Sequence, residues 1–215
     1  MNIKKIVLYA LGYLISYRKE LAKSLVIPFV AIFVKDLPEI NGTGFYFNIL
    51  LSSIMSVLLY TFVAITTHRV ILLGPNHIAK WGIYIPTWRE AYFVLYSIGL
   101  ALLIALMSLI SFLPIIGGVL TIVFIIYIMA RLSLVFPAIA TDHKWSFSDS
   151  WNATQDHQLL MVLVVGIFPF FLTIPGIVLS YIPYANWLNT LVSLFTTVFV
   201  VAVLSVAFKE ITQEE

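Results

Sequence analysis

Two Asp-His pairs, Asp142-His143 and Asp156-His157, lie in one polar stretch, TDHKWSFSDSWNATQDHQ, residues 141–158. Imidazole and carboxylate together suit zinc, manganese or non-haem iron, which makes these four side chains the candidate metal ligands. Their spacing fits no ligand motif, and no His-x-x-x-His pair elsewhere would complete a set on one helix face. The plainer alternative is a solvated loop whose acids serve helix starts. Cysteine is absent, which removes disulfides, thiolate metal sites, iron–sulfur clusters and cysteine nucleophiles together. No P-loop, dinucleotide fingerprint or Ser/His/Asp order is present. The expectation is therefore a non-enzymatic chain with no catalytic residue, metal or cofactor.

Arginine supplies the other chemistry. Arg69 in HRVILLGP and Arg131 in ARLSLVFP each sit among aliphatic residues and are followed by a proline, Pro75 and Pro137. An ionisable side chain at membrane depth is a functional candidate by default. In one reading both arginines are buried among helices and pair with Glu90 and Asp149 at the starts of the following spans. They would then hold one end of a bundle or line a polar lipid or substrate site. In the other they snorkel, set topology and contact lipid phosphates. His68 and His77 read as headgroup-facing. A third candidate is a helix break at Pro169, Pro175 and Gly176. Each proline frees a carbonyl four residues earlier, and broken helices line transporter sites, whereas a simple kink would have no function.

The elements that must position these groups follow from composition. Hydrophobic residues make up 61% of the 215 and charged ones 10%, with a mean hydropathy of +1.04. Soluble domains carry about a quarter charged residues. An all-α polytopic membrane protein is expected, one membrane domain over residues 1–215 with no nucleic-acid partner. Stretches 45–66, 91–112, 115–130, 159–182 and 187–208 are long enough to cross, at about 20 residues per span. The stretch 24–34 is short and contains Pro28, yet charge argues for it as a sixth span. If it crosses, Lys4, Lys5, Arg18, Lys19, Lys23, Arg69, Lys80, Arg89, Arg131, Lys144 and Lys209 share one side, leaving Lys35 on the other. Basic residues in short loops stay cytoplasmic. Both termini are thus placed inside, with 36–43 outside. The N-terminus shows no small-residue cleavage site and is expected to be retained.

The spans also repeat. Thr87-Trp-Arg-Glu90-Ala-Tyr92 aligns with Ser146-Phe-Ser-Asp149-Ser-Trp151. A hydroxyl followed three residues later by an acid is a capping-box pattern, which satisfies free N–H groups at a helix start. Ser16-Tyr-Arg-Lys-Glu20 is a looser third version. The expected organisation is three helical hairpins, 17–75, 87–137 and 146–209, after an interfacial amphipathic helix at 1–16. In that helix Ile3, Ile6, Val7, Ala10, Leu11 and Leu14 share one face, with Lys4, Lys5, Tyr9, Tyr13 and Ser16 opposite. Ser52, Ser53, Ser56, Thr196, Thr197 and Ser205 read as helix–helix contacts.

Taken together, HRVILLG, ARLSLVFPAIA and SFSDSWNAT resemble the YciC-type bacterial multi-span inner-membrane proteins. They are also similar to the membrane domain of glycerophosphodiester phosphodiesterase-like families, over about residues 50–165. The resemblance implies a six-helix integral membrane fold. It carries over no catalytic residue, because the phosphodiesterase chemistry there belongs to a separate soluble domain. The expected role is a scaffold, accessory subunit or regulator in a cytoplasmic membrane. Anionic lipid headgroups would surround it, and its partner would be another membrane protein or a second copy. The alternative is a small permease or lipid-handling transporter with a cytoplasmic-side arginine site.

Overall fold

A computed structural model of the chain describes residues 2–40, 49–79, 81, 84–182 and 186–213. The start of the span expected from residue 45, the end of the outer segment 36–43 from 41 onward, Lys80 and residues 183–185 lie outside the described residues. The helices are α1 (Ile3–Ser16), α2 (Arg18–Ile40), α3 (Ile49–Leu73), α4 (Trp88–Ser108), α5 (Gly117–Leu132), α6 (Val135–Ala140), α7 (Phe147–Ala153), α8 (Gln158–Val162), α9 (Phe168–Ser180) and α10 (Asn186–Gln213).

Among the described residues, five runs are long and apolar enough to cross a membrane: Leu51–Leu73, Trp88–Phe112, Gly117–Ala140, Gln158–Ser180 and Trp187–Gln213. The expected sixth span, 24–34, is not among them, which corrects six to five. It lies inside α2, whose 23 residues have the length at 1.5 Å each. However, α2 carries Arg18, Lys19, Glu20, Lys23, Lys35 and Asp36, and charge is expensive in lipid. Protein holds it instead. Leu21, Leu25 and Ile32 bury against Val63 and Val70 of α3 and Leu194 and Val198 of α10.

Local contacts set the helix ends. α3 runs past Thr66 to Leu73 because its polar residues find partners inside the protein. Thr67 donates its hydroxyl to the Val63 carbonyl at 2.8 Å, and His68 meets Ser205. The capping boxes form as the spacing predicts. The Glu90 carboxylate accepts from the Thr87 N–H and hydroxyl, both at 2.6 Å, and Asp149 accepts from the same groups of Ser146 at 2.7 Å.

Packing is concentrated at one end of the bundle. Half of the most apolar stretch of α3 is buried, against 11% of that in the α4 run and 6% of that in α8–α9. Thus α3 and α10 are central and α4 and α9 peripheral. The largest core joins Ile6 and Ala10 of α1 to Ala138, Met161, Ala202, Val206 and Ala207; the small residues let backbones approach closely. α1 is pinned there by Lys5–Glu210 at 3.2 Å and by Lys209 donating to the Tyr13 hydroxyl at 3.1 Å. Leu11, on the apolar face expected from the sequence, is exposed together with Leu8 and Ile15, an apolar stripe turned outward. At the far end Phe112, Ile116 and Tyr181 are exposed. The reactive side chains are therefore held where the helices are tightest.

Candidate functional site

Where α3 ends, Gly74 adopts φ +88°, a left-handed conformation that glycine takes without strain. Pro75–His77 then form one tight turn that folds back over Arg69. The guanidinium donates through Nε to the His77 carbonyl at 3.0 Å. Its Nη1 donates to the Ala140 carbonyl at 3.0 Å and to Asp142 Oδ2 at 2.7 Å. Asp142 reaches it because α6 stops at Ala140 and the Asp142 backbone turns left-handed, φ +67°, a conformation that aspartate tolerates better than most residues.

A second arginine meets the same carboxylate from α4. Arg89 Nη1 lies 3.2 Å from Asp142 Oδ1, while its Nε and Nη2 both hold Glu90 Oε1 at 2.8 Å. The chain of contacts Arg69–Asp142–Arg89–Glu90–Thr87 thus ties α3, α4 and the segment after α6 together. Partial burial alone would raise the Asp142 carboxyl, but the hydrogen bond and charge of Arg69, then those of Arg89, hold it below the ordinary aspartate value. The expected Arg69–Glu90 pair is corrected: Arg69 takes Asp142, and Glu90 is held by its own neighbour Arg89.

Beside this chain of contacts lies a cavity of about 270 Å³, lined among others by Thr66, Arg69, His77, Tyr84, Thr87 and Arg89. The Tyr84 hydroxyl is buried and has no hydrogen-bond partner among the described residues. Its pKa is raised, first by burial and then by the negative charge of Glu90. The ring packs edge-on against Phe62 at 5.1 Å.

Arg131 behaves differently. It is 2% exposed, its Nε and Nη1 are buried without a hydrogen-bond partner among the described residues, and its guanidinium lies 4.4 Å from the Trp151 ring centre. Tyr127 supports that ring edge-on at 5.8 Å. What α7 grips is the backbone: Ser150 and Thr154 donate their hydroxyls to the Arg131 carbonyl at 2.8 and 3.3 Å. The expected Arg131–Asp149 pair is therefore corrected. Asp149 is spent on Ser146, whose hydroxyl and N–H lower its pKa, and the two copies of the Arg-x5-Pro device perform different tasks.

The third candidate lies just after a local irregularity in the helix. Residues 158–180 form one helical run with a single wide turn, Leu163–Ile167, just before Pro169. Wide turns of this kind absorb local strain inside α-helices. Pro175 sits within α9. Gly166 and Gly176 serve close packing: an added Cβ would lie 2.5 Å from Ile126 Cγ2 and 2.8 Å from Asn189 Oδ1.

No known protein family, curated protein or solved structure matches the chain.

Of the possible metal ligands, Asp142 faces two arginines, and His143 meets the Thr141 hydroxyl at 2.9 Å. Among the described residues, no three His, Cys, Asp or Glu side chains come together. His68 is corrected from headgroup-facing to buried, 1% exposed, with Nδ1 2.7 Å from Ser205 Oγ. Ser205 donates its own proton to the Val201 carbonyl, which leaves its lone pair for an N–H on His68. Sequence reasoning passed over Arg89 and Tyr84 as site residues. The one available signal was that Arg89 stands inside the TWREA cap, next to the acid already singled out.

Proposed function

We propose that the chain is a non-enzymatic, multi-pass protein of a bacterial cytoplasmic membrane that serves as a scaffold or accessory subunit, with both termini cytoplasmic. One observation carries this reading. At the packed end Arg69, Arg89, Asp142 and Glu90 hold backbone and one another, with Arg69 alone joining His77, Ala140 and Asp142. Groups committed to such ties are poorly placed to act as acids, bases or nucleophiles, whose work requires reach to a substrate proton or atom. The five apolar runs support the membrane setting. Arg69, Arg89, Arg131, Lys144 and Lys209 fall toward one end of those runs, which favours a cytoplasmic position for that end. The permease alternative would rest on the helix around Pro169, Pro175 and Gly176, which follows a wide turn at Leu163–Ile167.

Extraction in a mild detergent, followed by affinity purification and mass measurement, tests the proposal. A stoichiometric membrane partner or a defined oligomer is expected. A clean monomer that retains no partner would sink it.

A further inference from the structure

The cavity at the ends of α3 and α4 is bordered by Arg69 and Arg89, two cations that already share an anion from beyond the cavity lining. Two arginines on different helices turn toward one carboxylate, that of Asp142, at 2.7 and 3.2 Å. The Asp142 side chain is 58% exposed, whereas those of Arg69 and Arg89 are 14% and 17% exposed. The cations are thus anchored in the wall, and the anion is the movable member. Arg69 makes its hydrogen bonds through Nε and Nη1, so among the described residues its Nη2 is uncommitted. The Tyr84 hydroxyl, also in the wall, is buried beside the Glu90 carboxylate and the Arg89 guanidinium and forms no close hydrogen bond among the described residues. Planar guanidinium forks match phosphate oxygens in pairs, and a phosphate offers more acceptor oxygens than the carboxylate it would replace.

We infer that this cavity binds the phosphate of an anionic lipid headgroup, which displaces Asp142 from Arg69 and Arg89 and accepts the Tyr84 hydroxyl. The surroundings favour a lipid over a soluble anion. Ile85, on the cavity wall, is 87% exposed. Trp88 at the start of α4 is 77% exposed, and indole rings prefer the headgroup level. The face of α4 beyond them is almost wholly unburied, which gives acyl chains an apolar path away from the phosphate. Asp142 then acts as an internal competitor that keeps the two arginines apart from weaker or uncharged headgroups.

The test uses the full chain in a neutral detergent, titrated with dihexanoyl phosphatidylglycerol, dihexanoyl phosphatidylcholine or inorganic phosphate and followed by native mass spectrometry. Phosphatidylglycerol should bind saturably at one per chain, at least about tenfold tighter than phosphatidylcholine, whose equal phosphate brings with it a choline cation that the two arginines repel. Arg89→Gln should weaken it about tenfold and Tyr84→Phe less, while Arg18→Gln, on the exposed start of α2, should leave it unchanged. Asp142→Asn should tighten it; asparagine keeps the left-handed backbone, and a gain in binding cannot arise from misfolding. Inorganic phosphate binding with the same dependence on Arg89 and Asp142 would support the phosphate chemistry and place its source in solution. Absence of saturable binding, or binding indifferent to both Arg89→Gln and Asp142→Asn, would overturn the inference.

Discussion

At the scale of single residues, Arg69 and Arg131 show how one sequence device reaches two outcomes. Arg69 has three acceptors within 3.0 Å, so its charge is spread over carbonyls and a carboxylate. Arg131 has a ring face and no acceptor among the described residues. A cation–π contact is worth up to about 2 kcal/mol when desolvated, less than the several kcal/mol needed to take an ion out of water. Arg131→Met keeps the stem and removes the buried charge, so the melting midpoint should stay level or rise. Ser150→Ala should lower it by about 1 kcal/mol equivalent, because the Arg131 carbonyl loses a buried donor. If Arg131→Met instead costs about 3–5 kcal/mol, as breaking a buried pair does, the guanidinium has a partner and its unpaired description is wrong.

For the helices, the decisive feature is how the run from Gln158 to Ser180 stays helical despite Pro169 and Pro175. The wide turn at Leu163–Ile167 takes up the disruption, and Gly166 within it lets α5 come close through Ile126. Gly166→Ala should destabilise by about 1–3 kcal/mol, the usual range for overpacking. Ile126→Ala in the same chain should recover part of that loss. A double-mutant cycle by thermal or denaturant unfolding reads the coupling directly; strictly additive effects would show that the two side-chain positions do not meet. Helix α2 makes the complementary point. Its charged ends keep it from being a span by composition, and its buried Leu21, Leu25 and Ile32 show that contact with α3 and α10 holds it in place.

Over the whole molecule, the packed and polar end carries α1, the C-terminal ends of α3, α6 and α10, and α7, whereas the opposite end exposes Phe112, Ile116 and Tyr181. The absence of cysteine makes single reporters clean. Asn152→Cys sits on exposed α7, and Ile116→Cys lies at the other end. With the packed end cytoplasmic, an impermeant maleimide added to intact spheroplasts should label the Ile116 variant and reach the Asn152 variant only after permeabilisation. The reverse pattern would turn the proposed orientation over.

Composition and periodicity alone determined the helical class, the five apolar runs and both capping boxes, because those depend on near neighbours: hydrophobic length, and a hydroxyl three residues before an acid. Tertiary structure decided the rest. What holds α2 in place depends on its packing against α3 and α10, and how 158–180 accommodates Pro169 depends on room for a wide turn beside Ile126. Which acid pairs with Arg69 was settled by the left-handed turn at Asp142, a backbone event that places a loop carboxylate where the sequence pattern pointed to Glu90. Long-range pairing is a matter of where chains cross, and spacing along a single chain carries no record of it.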